Sequence, residues 1–174
     1  MTREAAIENA LECFDGGEYL QILARRVAIP TESQNPERLP DLGRYLTDEI
    51  GPAFEAMGHG FTIFDNPVAG GGPVLLAERI EDPTLPAVLG YGHGDVIRGY
   101  DDQWFEGLNP WVTSQDGDKL YGRGTADNKG QHTINMCAMA AVLKARGRLG
   151  FNSKFMVETG EENGSAGLAE IVEA

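Results

Sequence analysis

The chain of 174 residues carries 14 Lys plus Arg against 27 Asp plus Glu, a formal charge of −13 with a pI near 4.5. Without a clustered basic face, such a charge excludes a nucleic-acid binder, which must displace phosphate counterions, and no run approaches the ~20 apolar residues of a membrane span. Hydrophobic residues at 41 % and charged residues at 24 % are the proportions of a folded domain with a sizeable core.

Ala5, Ala6, Ile7, Ala10, Leu11 and Phe14 recur near helical spacing until Gly16-Gly17, and residues 19–29 read as a second helix ended by Pro30. A polar turn over 31–36 follows. Leu39, Leu42, Leu46, Ile50, Ala53, Phe54 and Met57 predict a third helix, bent or broken where Pro52 removes an amide donor and closed by Gly58. His59, beside that glycine, is expected at the surface.

The period then changes, and 61–64, 74–80 and 87–91 are short apolar runs bounded by Gly and Pro, which suits strands. Residues 98–125 are irregular, with a hairpin around Asp116-Gly117 joining 111–113 to 120–121. Ile134, Cys137, Ala138, Ala141, Val142 and Ala145 mark the core face of the clearest helix, which Gly147 closes. A strand over 153–158 and a helix beginning at 165 complete the order. Such alternation predicts an α/β layer fold with a largely parallel sheet.

Cys13 and Cys137 lie far apart and form no CxxC pair, which argues against a disulfide framework or a thiolate zinc site and for a reducing compartment. The first eight residues alternate charge with small side chains and lack the apolar stretch of a signal peptide, so a cytoplasmic protein is expected.

Three polar clusters fall where strands are expected to end, the edge at which open α/β sheets collect functional groups. In Gly92-His93-Gly94-Asp95 the flanking glycines leave room for a ligand, and Asp95 can fix the imidazole tautomer; the alternative is a His–Asp pair capping a turn. Tyr121 to Gly130 superficially resembles a phosphate loop. It fails both templates, because Asp127 stands where the dinucleotide pattern needs Gly, and Lys129-Gly130 inverts the Walker order. Asp127 would instead attract a divalent cation, or serve as a helix N-cap. In the third cluster Glu158, Glu161 and Glu162 crowd together, a repulsion relieved by a cation or a raised pKa, unless the segment is a solvated acidic turn.

Taken together, His93-Gly-Asp95, Gly122-Arg-Gly-Thr-Ala-Asp127-Asn-Lys-Gly130 and Glu158-Thr-Gly-Glu161-Glu162-Asn-Gly-Ser165 resemble the M20 family of zinc metallopeptidases and amidohydrolases, from about Tyr19 to the last residue. The resemblance implies a three-layer helix/sheet/helix catalytic domain around a mixed, mostly parallel sheet. It implies two Zn²⁺ ions, with Co²⁺ or Mn²⁺ as substitutes: His93 on one, Glu162 on the other and Asp127 bridging. Glu161 would be the general base, Asp95 would orient His93, and a non-proline cis peptide would follow Asp127. The reaction so implied is hydrolysis of a peptide or N-acyl amide bond by a zinc-activated water, without a Ser or Cys nucleophile.

The family's third ligand for each zinc, its lid and dimerisation domain and the C-terminal half of its catalytic domain have no counterpart in the 174 residues. The chain therefore reads as the N-terminal part of one metallohydrolase catalytic domain. The complete protein is expected to be a homodimer acting on a small peptide or N-acyl amino acid. With two protein ligands per ion in place of the usual three, weak metal occupancy, little turnover and bare sheet edges are expected. Ser165 is expected to cap the last helix, and Trp104, Phe105 and Trp111 are candidates for lining the cleft near His93. Two other functions fit the same residues: a non-catalytic binding or scaffold protein retaining the fold, and a dinuclear metal phosphoesterase.

Overall fold

The structure, a computed structural model, describes residues 2–173. Its first third is helical as the apolar spacing predicts, with α1 (Arg3–Asp15) ending at Gly16 and α2 (Glu18–Val27) starting from the left-handed Gly17. The third predicted helix is one path in three pieces: α3 (Leu39–Arg44), a π-helical turn (Tyr45–Ile50) and α4 (Gly51–Ala56). Pro52 has no N–H to return to the preceding turn, and the wider turn ahead of it absorbs the mismatch without ending the helix. Tyr45, Leu46, Ile50 and Phe54 therefore all still face inward and are fully buried.

Strands β1 (Gly60–Phe64), β2 (Val74–Arg79), β3 (Ala87–His93) and β6 (Asn152–Glu158) form one sheet in the order β1-β2-β6-β3, while β4 (Ser114–Asp116) and β5 (Lys119–Tyr121) make a separate hairpin that begins slightly later than predicted. The sheet is mixed, as expected, but not mostly parallel: β1–β2 and β2–β6 run antiparallel and only β3–β6 is parallel. The connections explain this. A parallel neighbour requires a crossover, and α5 (Lys129–Arg146) between β3 and β6 is the helix that supplies one, whereas β1 and β2 are joined by a turn.

Phe61, Ile63, Leu75, Ala77, Phe155 and Val157 line one sheet face and pack under Tyr45, Leu46, Ile50 and Phe54, with Met136 from α5. Each fully buried Leu, Ile or Phe of this cluster contributes about 1.5–3 kcal/mol. The opposite face is open, with Leu89 64 % and Tyr91 44 % exposed. Two of the three expected layers are thus formed among the described residues. The outer edge of β3 is likewise unpaired among them, in keeping with the bare edge foreseen from the sequence. The last helix, α6 (Leu168–Glu173), starts three residues later than predicted.

One side-chain expectation is met in part and another is overturned. Of the predicted core stripe of α5, Ala141 and Ala145 are buried but Ile134 is 56 % exposed, and Lys129, His132, Thr133 and Met136 are buried as well. That apolar stripe faces α1 instead: Ile134, Cys137 and Ala138 share a hollow with Ala10, Cys13 and Phe14. A helix covered on two sides offers two inner faces, and hydrophobicity marks only one when the other is polar. His59 is not at the surface but buried, edge-on to Phe54 and 3.1 Å from Ser153 Oγ, and burial followed by the Arg79 charge pushes its pKa down.

Candidate metal centre

The parallel strands β3 and β6 end together, with His93 opposite Glu158. His93 closes β3, Glu161 and Glu162 sit in the short helical turn after β6, and Asp127 lies in the loop entering α5. This brings the three distant clusters to one point. His93 Nε2 lies 3.0 Å from Asp127 Oδ1 and 3.8 Å from Glu161 Oε2. One donor atom each from His93, Glu161 and Glu162 falls within 4.8 Å of the others. Asp127 is not in that tightest group; it reaches the cluster through its hydrogen bond with His93. The peptide between Asp127 and Asn128 is cis.

Asp95 forms the floor. Its side chain is fully buried and its carboxylate accepts the backbone N–H groups of Glu161 at 3.2 Å and Glu162 at 3.1 Å. His93 Nδ1 stands 3.1 Å from the Asp95 carbonyl and 3.3 Å from Oδ1. One residue therefore orients the imidazole and pins the acidic turn. The loop at 33–34 holds that turn from the other side, through Gln34 Nε2 to the Glu162 carbonyl and Asn163 Nδ2 to the Ser33 carbonyl.

A buried polar network lies beneath, and sequence reasoning missed most of it. Asn128 Oδ1 accepts the His93 N–H at 3.3 Å and lies 3.3 Å from His132 Nδ1, while His132 Nε2 is 2.6 Å from the Tyr45 hydroxyl. Burial keeps the phenol protonated and, with the Arg26 and Lys129 charges, drives the His132 pKa well down. The phenol consequently donates to Nε2, and Nδ1–H donates to Asn128. Lys129 Nζ donates to the carbonyls of Arg26 and Ile29 at 2.9 and 2.7 Å and lies over the Tyr45 ring; burial lowers its pKa to about 7. His132 thus supports the site through Asn128 rather than entering it.

The glycines beside His93 serve these neighbours, not a ligand. A Cβ at Gly92 would stand 2.7 Å from His132 Cβ, and one at Gly94 2.6 Å from the Tyr45 ring. Glu158, counted from the sequence among three crowded carboxylates, is instead buried and accepts the hydroxyls of Tyr91 at 2.6 Å and Ser165 at 2.9 Å. Ser165 therefore does not cap α6. Its place at the end of an inner strand was the one signal for Glu158. Trp104 and Trp111 bond to Gly99 and Asp101 within their own loop, and Phe105 is 84 % exposed.

The electrostatics suit a cation. Burial alone would lower the His93 pKa, but the Asp95 hydrogen bond and charge, then Asp127 and Glu161, raise it to about 9. Burial raises Glu162, and the neighbouring acidic groups add to it against the pull of His93. Among the described residues the ionic partner of Asp127 and Glu161 is His93 alone. Several carboxylate oxygens around one imidazole, with no Lys or Arg paired to them among the described residues, fit a divalent metal.

Comparison with known proteins finds one family model and several relatives. Residues 89–174 match the family model for peptidase family M20/M25/M40. The chain is 35 % identical to Beta-Ala-His dipeptidase of Homo sapiens over 97 % of its own length and 35 % of that protein's, and 30 % identical to Cys-Gly metallodipeptidase DUG1 of Candida albicans over 89 % and 34 %. The crystal structure of human carnosine dipeptidase 1 superposes with a TM-score of 0.85 at 31 % identity, covering 95 % of this chain and 37 % of that one. The chain thus spans about a third of the length of the curated relatives it matches.

Proposed function

The chain belongs to the M20/M25/M40 family of peptidases, and from that premise we propose that it is the N-terminal part of the catalytic domain of a metal-dependent hydrolase acting on small peptides or N-acyl amino acids. The observation that carries this reading is the convergence of His93 with Glu161 and Glu162 over the buried Asp95. His93 and Glu162 would each hold one ion and Asp127 would stand between them. Ions held there supply Lewis-acid polarisation of a carbonyl and lower the proton affinity of water. Zinc is the proposed metal, with cobalt or manganese as substitutes.

The chain's own residues supply the rest. Glu161 is 45 % exposed at the mouth, 3.8 Å from His93 Nε2, and is placed to accept a proton and return it to the leaving amine. Asp95 keeps His93 and the acidic turn in one register, so that base and ligands do not drift apart. The remaining metal ligands, a lid and the homodimer contact are assigned to sequence outside these residues, which the one-third coverage of the relatives supports. Dipeptides are the favoured substrates, because the relatives' names specify them.

The test is an assay of the complete protein on β-alanyl-histidine, cysteinyl-glycine, an N-acyl amino acid and an aryl phosphate, with and without chelator. Chelator-sensitive cleavage of a dipeptide or N-acyl amino acid is expected. Hydrolysis of the phosphate ester alone, or no turnover with metal replete, overturns the reading.

A further inference from the structure

Outside the acidic site, the two cysteines lie side by side between α1 and α5. Helices α1 and α5 pack side by side; Asn9 Nδ2 donates to the Ala141 carbonyl at 3.2 Å, and this contact together with Cys13 beside Cys137 makes them antiparallel. Moving four residues forward along α1 reaches Cys13, and moving four back along α5 reaches Cys137. Both helices rise about 1.5 Å per residue, so the two cysteines stay level. Helices in contact have axes about 8–10 Å apart and Cα radii of about 2.3 Å, which leaves facing Cα atoms roughly 3.5–5.5 Å apart. That range overlaps the separation a disulfide spans.

The surroundings agree. Both cysteines line the same two hollows, one with Asn9 and Glu12, the other with Ala10 and Phe14. Both are free and half-buried, hence within reach of a small reagent. Burial first, and then the adjacent Cys13 thiol, push Cys137 up to about 11, so the side chains sense each other directly. No residue of α1 is buried, and its ties to α5 include the exposed Lys144–Glu12 pair at 3.2 Å. A covalent link would be its strongest anchor.

We propose that Cys13 and Cys137 form a reversible disulfide that latches α1 onto α5 when the protein meets a low-molecular-weight disulfide. One thiolate attacks a sulfur of the reagent and expels one thiolate fragment. The second cysteine thiolate then attacks the protein-bound sulfur of this mixed disulfide and expels the other fragment. The protein loses two protons and two electrons, and the reagent takes them up to become two thiols.

Incubation of the unmutated chain with oxidised glutathione, acid quench and intact-mass measurement tests this without relying on any variant to fold. The expected product is a monomer lighter by two hydrogens, with no thiol titratable after denaturation and a peptide linking Cys13 to Cys137. Its Tm is expected to rise by about 5–10 °C and to revert on reduction, because the cross-link closes a loop over most of the chain. In Cys13→Ser and Cys137→Ser the surviving thiol is expected to stop at the glutathione adduct. Two thiols still titratable, stable adducts on both cysteines of the unmutated chain, or linkage between chains overturns the proposal.

Discussion

The two ends of the parallel pair β3–β6 are built on opposite principles. At the amino end Asn152 is fully used: its Oδ1 accepts the N–H groups of Glu81 and Asp82, and its Nδ2 donates to the carbonyls of Asp82 and Leu85. Glu81 in turn accepts the N–H groups of Leu149 and Gly150. At the carboxyl end Asp127 and Glu161 share a single imidazole. At the amino end Asn152 uses its whole amide, and that end contributes stability. The other leaves negative charge unbalanced at its rim, held over a fully satisfied floor, and that imbalance is where chemistry is possible.

Four perturbations sharpen this contrast. The largest effect is expected from Glu161→Gln in the complete protein, which removes the proposed proton acceptor and lowers kcat by about a hundred- to ten-thousand-fold. Unfolding by urea should be nearly unchanged, and a variant of undiminished kcat would remove Glu161 from the reaction. Asn152→Ala reverses the pattern. It strands the Glu81 and Asp82 amides and costs about 2–4 kcal/mol in urea unfolding, with metal affinity by calorimetry unaltered; a loss confined to metal binding would erase the distinction between the ends.

A smaller effect is expected for Asp95→Asn, whose amide oxygen cannot serve His93 and both glutamate amides as a carboxylate does. Metal affinity of the complete protein is expected to fall about 10- to 100-fold, and the His93 pKa, followed by NMR, to drop from about 9. The mildest perturbation is pH itself. Metal needs the neutral imidazole, so affinity is expected to climb about tenfold per unit from pH 7 and level off near 9. Without metal the sign reverses for stability: the contribution of the raised His93 pKa is full below about 6.5 and is lost as pH rises through 9. A flat affinity profile between 7 and 9 would show that His93 does not release its proton to metal.

Local pattern sufficed for the outline of the fold. Apolar spacing located α1, α2 and α5, Gly and Pro bounded β1, β2, β3 and β6, and the polar clusters at the strand ends marked the candidate residues that the fold brings together. These signals are encoded within a few residues of one another, which is why they can be read in order. The inner face of α5 was not legible, because Lys129 and His132 are buried by partners from α2 and the π-helical turn that no neighbouring residue announces. Nor was the purpose of Gly92 and Gly94, which depends on how closely His132 and Tyr45 approach.

By itself the sequence determined the element types, the acidic excess and the chemical character of the three clusters, since composition and short-range periodicity depend on covalent neighbours. Only the tertiary structure decided that one strand pairing is parallel, that His93 meets Glu161 and Glu162 above a shared carboxylate, and that Cys13 faces Cys137 across two helices. Those outcomes depend on which surfaces are buried together, a property of the whole chain's packing rather than of any one segment.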